Sequence, residues 1–180
     1  APAVQTRSAL SRTLSINTKL VVNKNLNIID LANLSGFKTF WFSNQGTTGF
    51  NDSPITNIAK RASKYIFHNR SYLEASSDDI LLNDLKENLN SDSKNIYFLH
   101  LIGSHANFCD RTKNSTITLS DSFTKFLPNE LNCYDDSILH TSHFIREVEK
   151  LLLSVKLPYE ILYYSDHGLV DITQPPFKTH

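Results

Sequence analysis

Apolar residues along this chain form short clusters divided by polar turns, and their period switches repeatedly between that of a helix and that of a strand. Ala9, Leu10 and Leu14 predict a short helix over Thr6–Leu14, entered from Ala1-Pro2-Ala3. A second helix is expected over Asn27–Leu34, with Asp30 and Asn33 outward and Gly36 ending it. Phe37–Ser43 (FKTFWFS) is an aromatic run broken at Asn44-Gln45-Gly46, which reads as a buried strand leading into a loop. Ile55–Ser63 follows as a helix with Pro54 in its first turn, and Tyr65–His68 as a brief strand. Ile80, Leu81, Leu82, Leu85 and Leu89 form a stripe on an otherwise polar helix over Asp78–Leu89.

Asn95–Ile102 is a nearly continuous apolar strand closed by Gly103-Ser104-His105. The longest helix is expected over Asp135–Val155, anchored by Tyr134 and Asp135, with Ile138, Phe144, Ile145, Val148, Leu152 and Val155 as its buried side. After Pro158, Tyr159–Tyr164 reads as a last strand that stops at Ser165-Asp166-His167-Gly168. The polar stretch 106–133 is too long for an ordinary connector, which points to a functional or disordered segment.

Strands alternating with helices imply the α/β class: a mostly parallel central sheet sandwiched by helices, because parallel neighbours need crossover connections. The polar exits Ser43-Asn44, Gly103-Ser104-His105 and Asp166-His167-Gly168 would then gather along one sheet edge, where ligands of open α/β sheets bind. The 180 residues correspond to one domain with a real core.

Lysine plus arginine and aspartate plus glutamate each total 18, so the formal charge is zero and no phosphate-neutralising surface is implied. Nucleic acid is therefore not an expected partner. No apolar run is long enough to span a bilayer. Met is absent and the chain opens on Ala1 without a basic, apolar leader, so it reads as a fragment or processed piece. Cys109 and Cys133 lack a metal-type spacing; they are separate thiols in a reducing compartment or close a loop in an oxidising one.

Ser165-Asp166-His167-Gly168 puts a carboxylate beside an imidazole at a strand end. On an irregular backbone both can reach one cation; the plainer alternative is an Asx-type turn with an exposed histidine. His105 ends a second strand in the same manner and can ligate metal or contact an anion, whereas His100, alternating within its strand, reads as a core histidine.

Taken together, AVQTRSALSRTLS (3–15), FWFSNQG (40–46), HLIGSH (100–105), CYDDSIL (133–139) and YYSDHG (163–168) resemble, in collinear order, the phosphoethanolamine transferases of the Gram-negative envelope. Those enzymes belong to the sulfatase-like branch of the alkaline phosphatase superfamily, which implies that fold over 1–180 as part of a catalytic domain. The resemblance implies Thr6 as the nucleophile and as a zinc-contacting group, Asp166 and His167 as zinc ligands, and His105 as the residue touching the transferred group or a second zinc. His180 lies near the distance of a further family histidine, and Asn44 at its strand exit is a substrate-facing candidate.

The implied cofactor is zinc, the donor phosphatidylethanolamine, and the acceptor a lipopolysaccharide or glucan. The implied place is the periplasmic face of the inner membrane, reached through a transmembrane region upstream, and there Cys109 and Cys133 would be oxidised to a disulfide. Several features depart from the family pattern. The glutamate ligand of the family would lie upstream of Ala1, Ser142 stands where an aspartate is usual, and Ala106-Asn107 replaces Gly-Pro. A hydrolase of the same superfamily and an inactive binding remnant are the alternatives. A sulfatase, however, would need a C-x-P-S-R or S-x-P-S-R motif that TRSALSR does not supply.

Overall fold

A computed structural model describes residues 6–15, 26–48, 53–74, 77–90, 92–113 and 129–168. Three parallel strands form the described sheet, in the order β2-β1-β3, with β1 at Lys38–Ser43, β2 at Lys64–Phe67 and β3 at Asn95–His100. The register sets Ser43 opposite Phe67 on one side and His100 on the other, so the strand exits share one edge. Helices α1 (Thr6–Leu14), α2 (Ile28–Leu34), α3 (Ser53–Ala59), α4 (Ile80–Asn88), α5 (Phe108–Arg111) and α6 (Asn129–Ser154) surround it.

The period-two alternation of β1 divides the core into two layers. Trp41 packs with Leu10, Leu14, Ile29, Ile55 and Ala59 beneath α1, α2 and α3. Phe40 and Phe42 point to the other face and meet Leu81, Leu85, Phe144 and Val148 of α4 and α6. Helices therefore cover both faces, as the apolar continuity of β1 requires. Asn27 caps α2 through its side chain, which accepts from the backbone N–H groups of Ile29 and Asp30, while Asp30 accepts the Asn27 N–H in return. Gly36 ends that helix in the left-handed region at φ +82°, where a side chain would be strained.

Three expectations are corrected. Tyr159–Tyr164 is not a strand: 158–165 is irregular and its side chains are exposed, Leu162 at 87%. Apolar character favours burial, but a strand also needs a neighbouring backbone to bond, and among the described residues this segment has none. Of the stretch 106–133, which is too long for an ordinary connector, α5 and the first turn of α6 are helical. Because α6 starts at Asn129, Tyr134 and Asp135 sit inside the helix instead of anchoring its start.

The buried face of α6 also differs from the expected one. Ile138 is exposed, while Ser137, His140 and Thr141 are buried together with Phe144 and Val148. The His140 Nε2 atom lies 3.0 Å from Asp79 Oδ1 and 3.2 Å from Ser77 Oγ, tying α6 to the start of α4.

Cys109 of α5 and Cys133 of α6 are joined as a disulfide, and Phe108 meets Tyr134 edge-on beside it. We expect protein from an oxidising compartment to take up alkylating reagent only after reduction, read by intact mass. Removing the bond with Cys133→Ser should lower stability by about 3 kcal/mol, since the bond closes a loop spanning a separation of 24 residues. Two free thiols in the unreduced protein would contradict this.

Candidate functional site

The carboxyl ends of β1 and β3 are held together by a buried polar floor. Ser43 Oγ lies 2.9 Å from His100 Nδ1, directly across the β1–β3 register. Behind them the Asp78 carboxylate accepts from Asn44 Nδ2 (2.8 Å) and from the backbone N–H groups of Ile102 (2.8 Å) and Gly103 (2.9 Å). Asn69 Nδ2 donates to the Asn44 carbonyl (2.8 Å) and to Asn44 Oδ1 (2.9 Å). Burial pushes the Asp78 carboxyl up from the usual carboxylate range, and these donors oppose the rise. Asn44 thus braces the two strand exits from a buried position.

Above this floor the start of α1 meets the segment at 166–168. Thr6, the first residue of α1, sets Oγ1 3.1 Å from His167 Nε2. His167 Nδ1 lies 2.9 Å from the Gly168 carbonyl oxygen, which can only accept. In the neutral imidazole Nδ1 therefore carries the proton, and Nε2 turns a lone pair toward the Thr6 hydroxyl. That is the orientation a metal-ligating histidine needs, with its far nitrogen fixed by a carbonyl. Asp166 Oδ1 accepts the backbone N–H of His167 at 3.0 Å, and its Oδ2 lies 3.6 Å from His167 Nε2. The irregular backbone at 158–168 lets these adjacent side chains converge, which an extended strand would forbid.

Thr6, Asp166 and His167 together offer two oxygens and one nitrogen, a donor set suited to a borderline divalent cation. Among the described residues no group of three His, Cys, Asp or Glu side chains is gathered closely enough to cage an ion. The donor set fits a metal in kind and is partial in number. The first amides of α1 have no partner within that helix, and they lie beside the Thr6 hydroxyl where negative charge is stabilised.

Two histidines complete the rim. The His105 ring is held below the ordinary histidine range first by burial and next by the Arg111 guanidinium; His167 acts in the same direction and Asp166 opposes it. His100, read from sequence as a core residue, is the last residue of β3 and stands at this edge. Burial lowers its pKa to about 4 against the opposing charge of Asp166, so it is neutral at pH 7. Its Nε2 is buried with no hydrogen-bond partner among the described residues. Its burial, its contact with Ser43 and its packing against Trp41 agree with the core reading, and its place as the last strand residue before a polar exit puts it under the site. Of the other residues singled out, Asn44 is buried and bonded to Asp78 and Asn69, and His180 lies outside the described residues.

Comparison with known proteins identifies the family and the fold. Residues 5–171 match the family model described as Sulfatase. The chain is 35% identical over 148 residues to phosphoethanolamine transferase OpgE of Escherichia coli K12, covering 79% of this chain and 27% of that protein. The chain spans less than a third of the length of the curated relatives it matches.

In structure it is similar to the C-terminal periplasmic domain of EcEptC from Escherichia coli, solved as a complex with Zn. The TM-score is 0.75 at 23% identity, over 98% of this chain and 53% of that one. The soluble domain of lipooligosaccharide phosphoethanolamine transferase A from Neisseria meningitidis is similar at TM-score 0.58 and 20% identity, over 83% of this chain and 48% of that one. These structural likenesses establish a shared fold.

Proposed function

Since the chain belongs to the sulfatase family, we propose that it is part of the catalytic domain of a zinc-dependent phosphoethanolamine transferase working at the periplasmic face of the inner membrane. The observation that carries this reading is the 3.1 Å approach of Thr6 Oγ1 to His167 Nε2, which joins a hydroxyl at a helix start to an Asp-His pair 161 residues away. The likeness to OpgE and the zinc in the EcEptC structure support the reaction and the metal.

In this proposal phosphatidylethanolamine is the donor, and a lipopolysaccharide or glucan is the acceptor. Thr6 Oγ bonds to phosphorus as the bond from phosphorus to the diacylglycerol oxygen breaks, and diacylglycerol leaves with the proton. An acceptor hydroxyl then displaces Thr6, whose oxygen regains a proton. The two displacements divide one difficult transfer into two easier ones.

Asp166, His167 and the Thr6 hydroxyl would hold zinc. When bound, zinc lowers the pKa of the hydroxyl and offsets charge on the phosphoryl oxygens. The N-terminal amides of α1 oppose the charge that develops on those oxygens. His105 contacts the transferred group, and burial holds its pKa below the ordinary histidine range, which favours the neutral ring.

The test is incubation of the full-length protein with phosphatidylethanolamine labelled in the headgroup, with lipopolysaccharide or periplasmic glucan present. Label appearing on the acceptor, with diacylglycerol released in equal amount, is the expected result. Label released only as free phosphoethanolamine would identify a hydrolase instead.

A further inference from the structure

His105 enters the site from a turn, so its ring is only as well placed as the backbone beneath it. The chain leaves β3 through Leu101 and Ile102 and reverses at Gly103, whose φ of +54° lies in the left-handed region. The upstream half of this turn is pinned by Asp78, which accepts the Ile102 and Gly103 N–H groups, and by Ser137 Oγ, which donates to Ser104 Oγ at 2.8 Å.

The downstream half is met by Arg111. Its Nη2 donates to the Ala106 carbonyl at 2.7 Å and its Nε to the His105 carbonyl at 3.3 Å. The side chain is buried, at 3% exposure. A guanidinium presents its donors in a rigid plane, so two successive carbonyls bound to one fork fix the two peptides that flank Ala106, 105–106 and 106–107. The orientation of the first of these sets the direction in which the His105 side chain leaves the backbone.

The fork is itself held in place. Helix α5 has four residues, too few for stability alone, and the Cys109–Cys133 bond attaches it to the long helix α6 two positions before Arg111.

We propose that Arg111 is a positioning residue for His105, clamping the 105–106 and 106–107 peptides through their carbonyls and carried on a helix that the disulfide locks to α6. The proposal rests on the reading of His105 as the residue that handles the transferred group. Lysine can reach one carbonyl but cannot reproduce the fork, and glutamine supplies a shorter amide without the charge. The full-length protein carrying Arg111→Gln should lose roughly tenfold to a hundredfold in kcat, the range for supporting groups around a reacting centre, with donor KM nearly unchanged. Arg111→Lys should fall between it and the parent.

Backbone hydrogen exchange, followed in the same proteins, should quicken over 102–107 and stay at parental rates in β1 and β2. A parental kcat in Arg111→Gln, or a loss accompanied by faster exchange through every element, would overturn the clamp. Should the parent itself transfer no phosphoethanolamine, the proposed function fails, while localised exchange at 102–107 still decides whether Arg111 holds the turn.

Discussion

Thr6→Ala in the full-length protein is expected to abolish both transfer and the covalent adduct that the proposed mechanism predicts for the parental protein given donor lipid without acceptor. The hydroxyl is the group that would bond to phosphorus, and no other side chain in α1 is shown beside His167: Thr13 donates to the Ala9 carbonyl of its own helix at 2.9 Å. Losing nucleophile and adduct together should remove several orders of magnitude of rate, because no second route to a covalent intermediate exists in this scheme. The fold should survive, since deleting a hydroxyl at a helix start costs about 0.5–2 kcal/mol. Peptide mass spectrometry locates the adduct and circular dichroism checks the fold. Transfer at the parental rate by Thr6→Ala would end the proposed mechanism.

Asp166→Ala and His167→Ala should each eliminate transfer by a different loss, that of bound zinc. The two side chains converge from consecutive positions, with Oδ2 and Nε2 3.6 Å apart, so they would serve one ion, and removal of either leaves that ion short of a ligand. His105→Ala should keep its zinc and lose rate, because its ring comes from the β3 exit and enters as a contact to the moving group. Elemental analysis of the purified full-length variants separates the two outcomes. Full zinc occupancy in Asp166→Ala would refute the ligand assignment.

Those side chains were legible in the sequence to differing degrees, for physical reasons. Asp166 and His167 stand out because an acidic and an imidazole side chain beside a glycine break an apolar run, and Thr6 only through the family resemblance, since a threonine at a helix start is otherwise an ordinary cap. The sheet was equally readable: β1 alternates Phe40, Trp41 and Phe42 between two packed faces, and its apolar continuity admits few other structures.

Hydropathy failed where burial is polar. The inner face of the first half of α6 carries Ser137, His140 and Thr141, held by hydrogen bonds, so a search for an apolar stripe selected Ile138, which faces outward. It failed again at Tyr159–Tyr164, where composition favours a strand but pairing depends on a distant backbone that no local pattern reveals. Asn44 was legible as a polar residue at a strand exit, yet only three dimensions show its amide engaged by Asp78 and Asn69.

The pairing of Thr6 with His167 across 161 residues also bears on timing. A contact between such distant positions forms after the intervening strands have docked, because closing a long loop is entropically unfavourable until other contacts have shortened it. The disulfide, by contrast, spans 24 residues and can form while much of the chain is still unpaired. A nascent or partly folded molecule therefore already carries its hydroxyl but not the histidine opposite it. Under the proposed function, transfer is withheld until the chain has closed on itself, and a folding intermediate has no assembled pair of hydroxyl and imidazole with which to begin it.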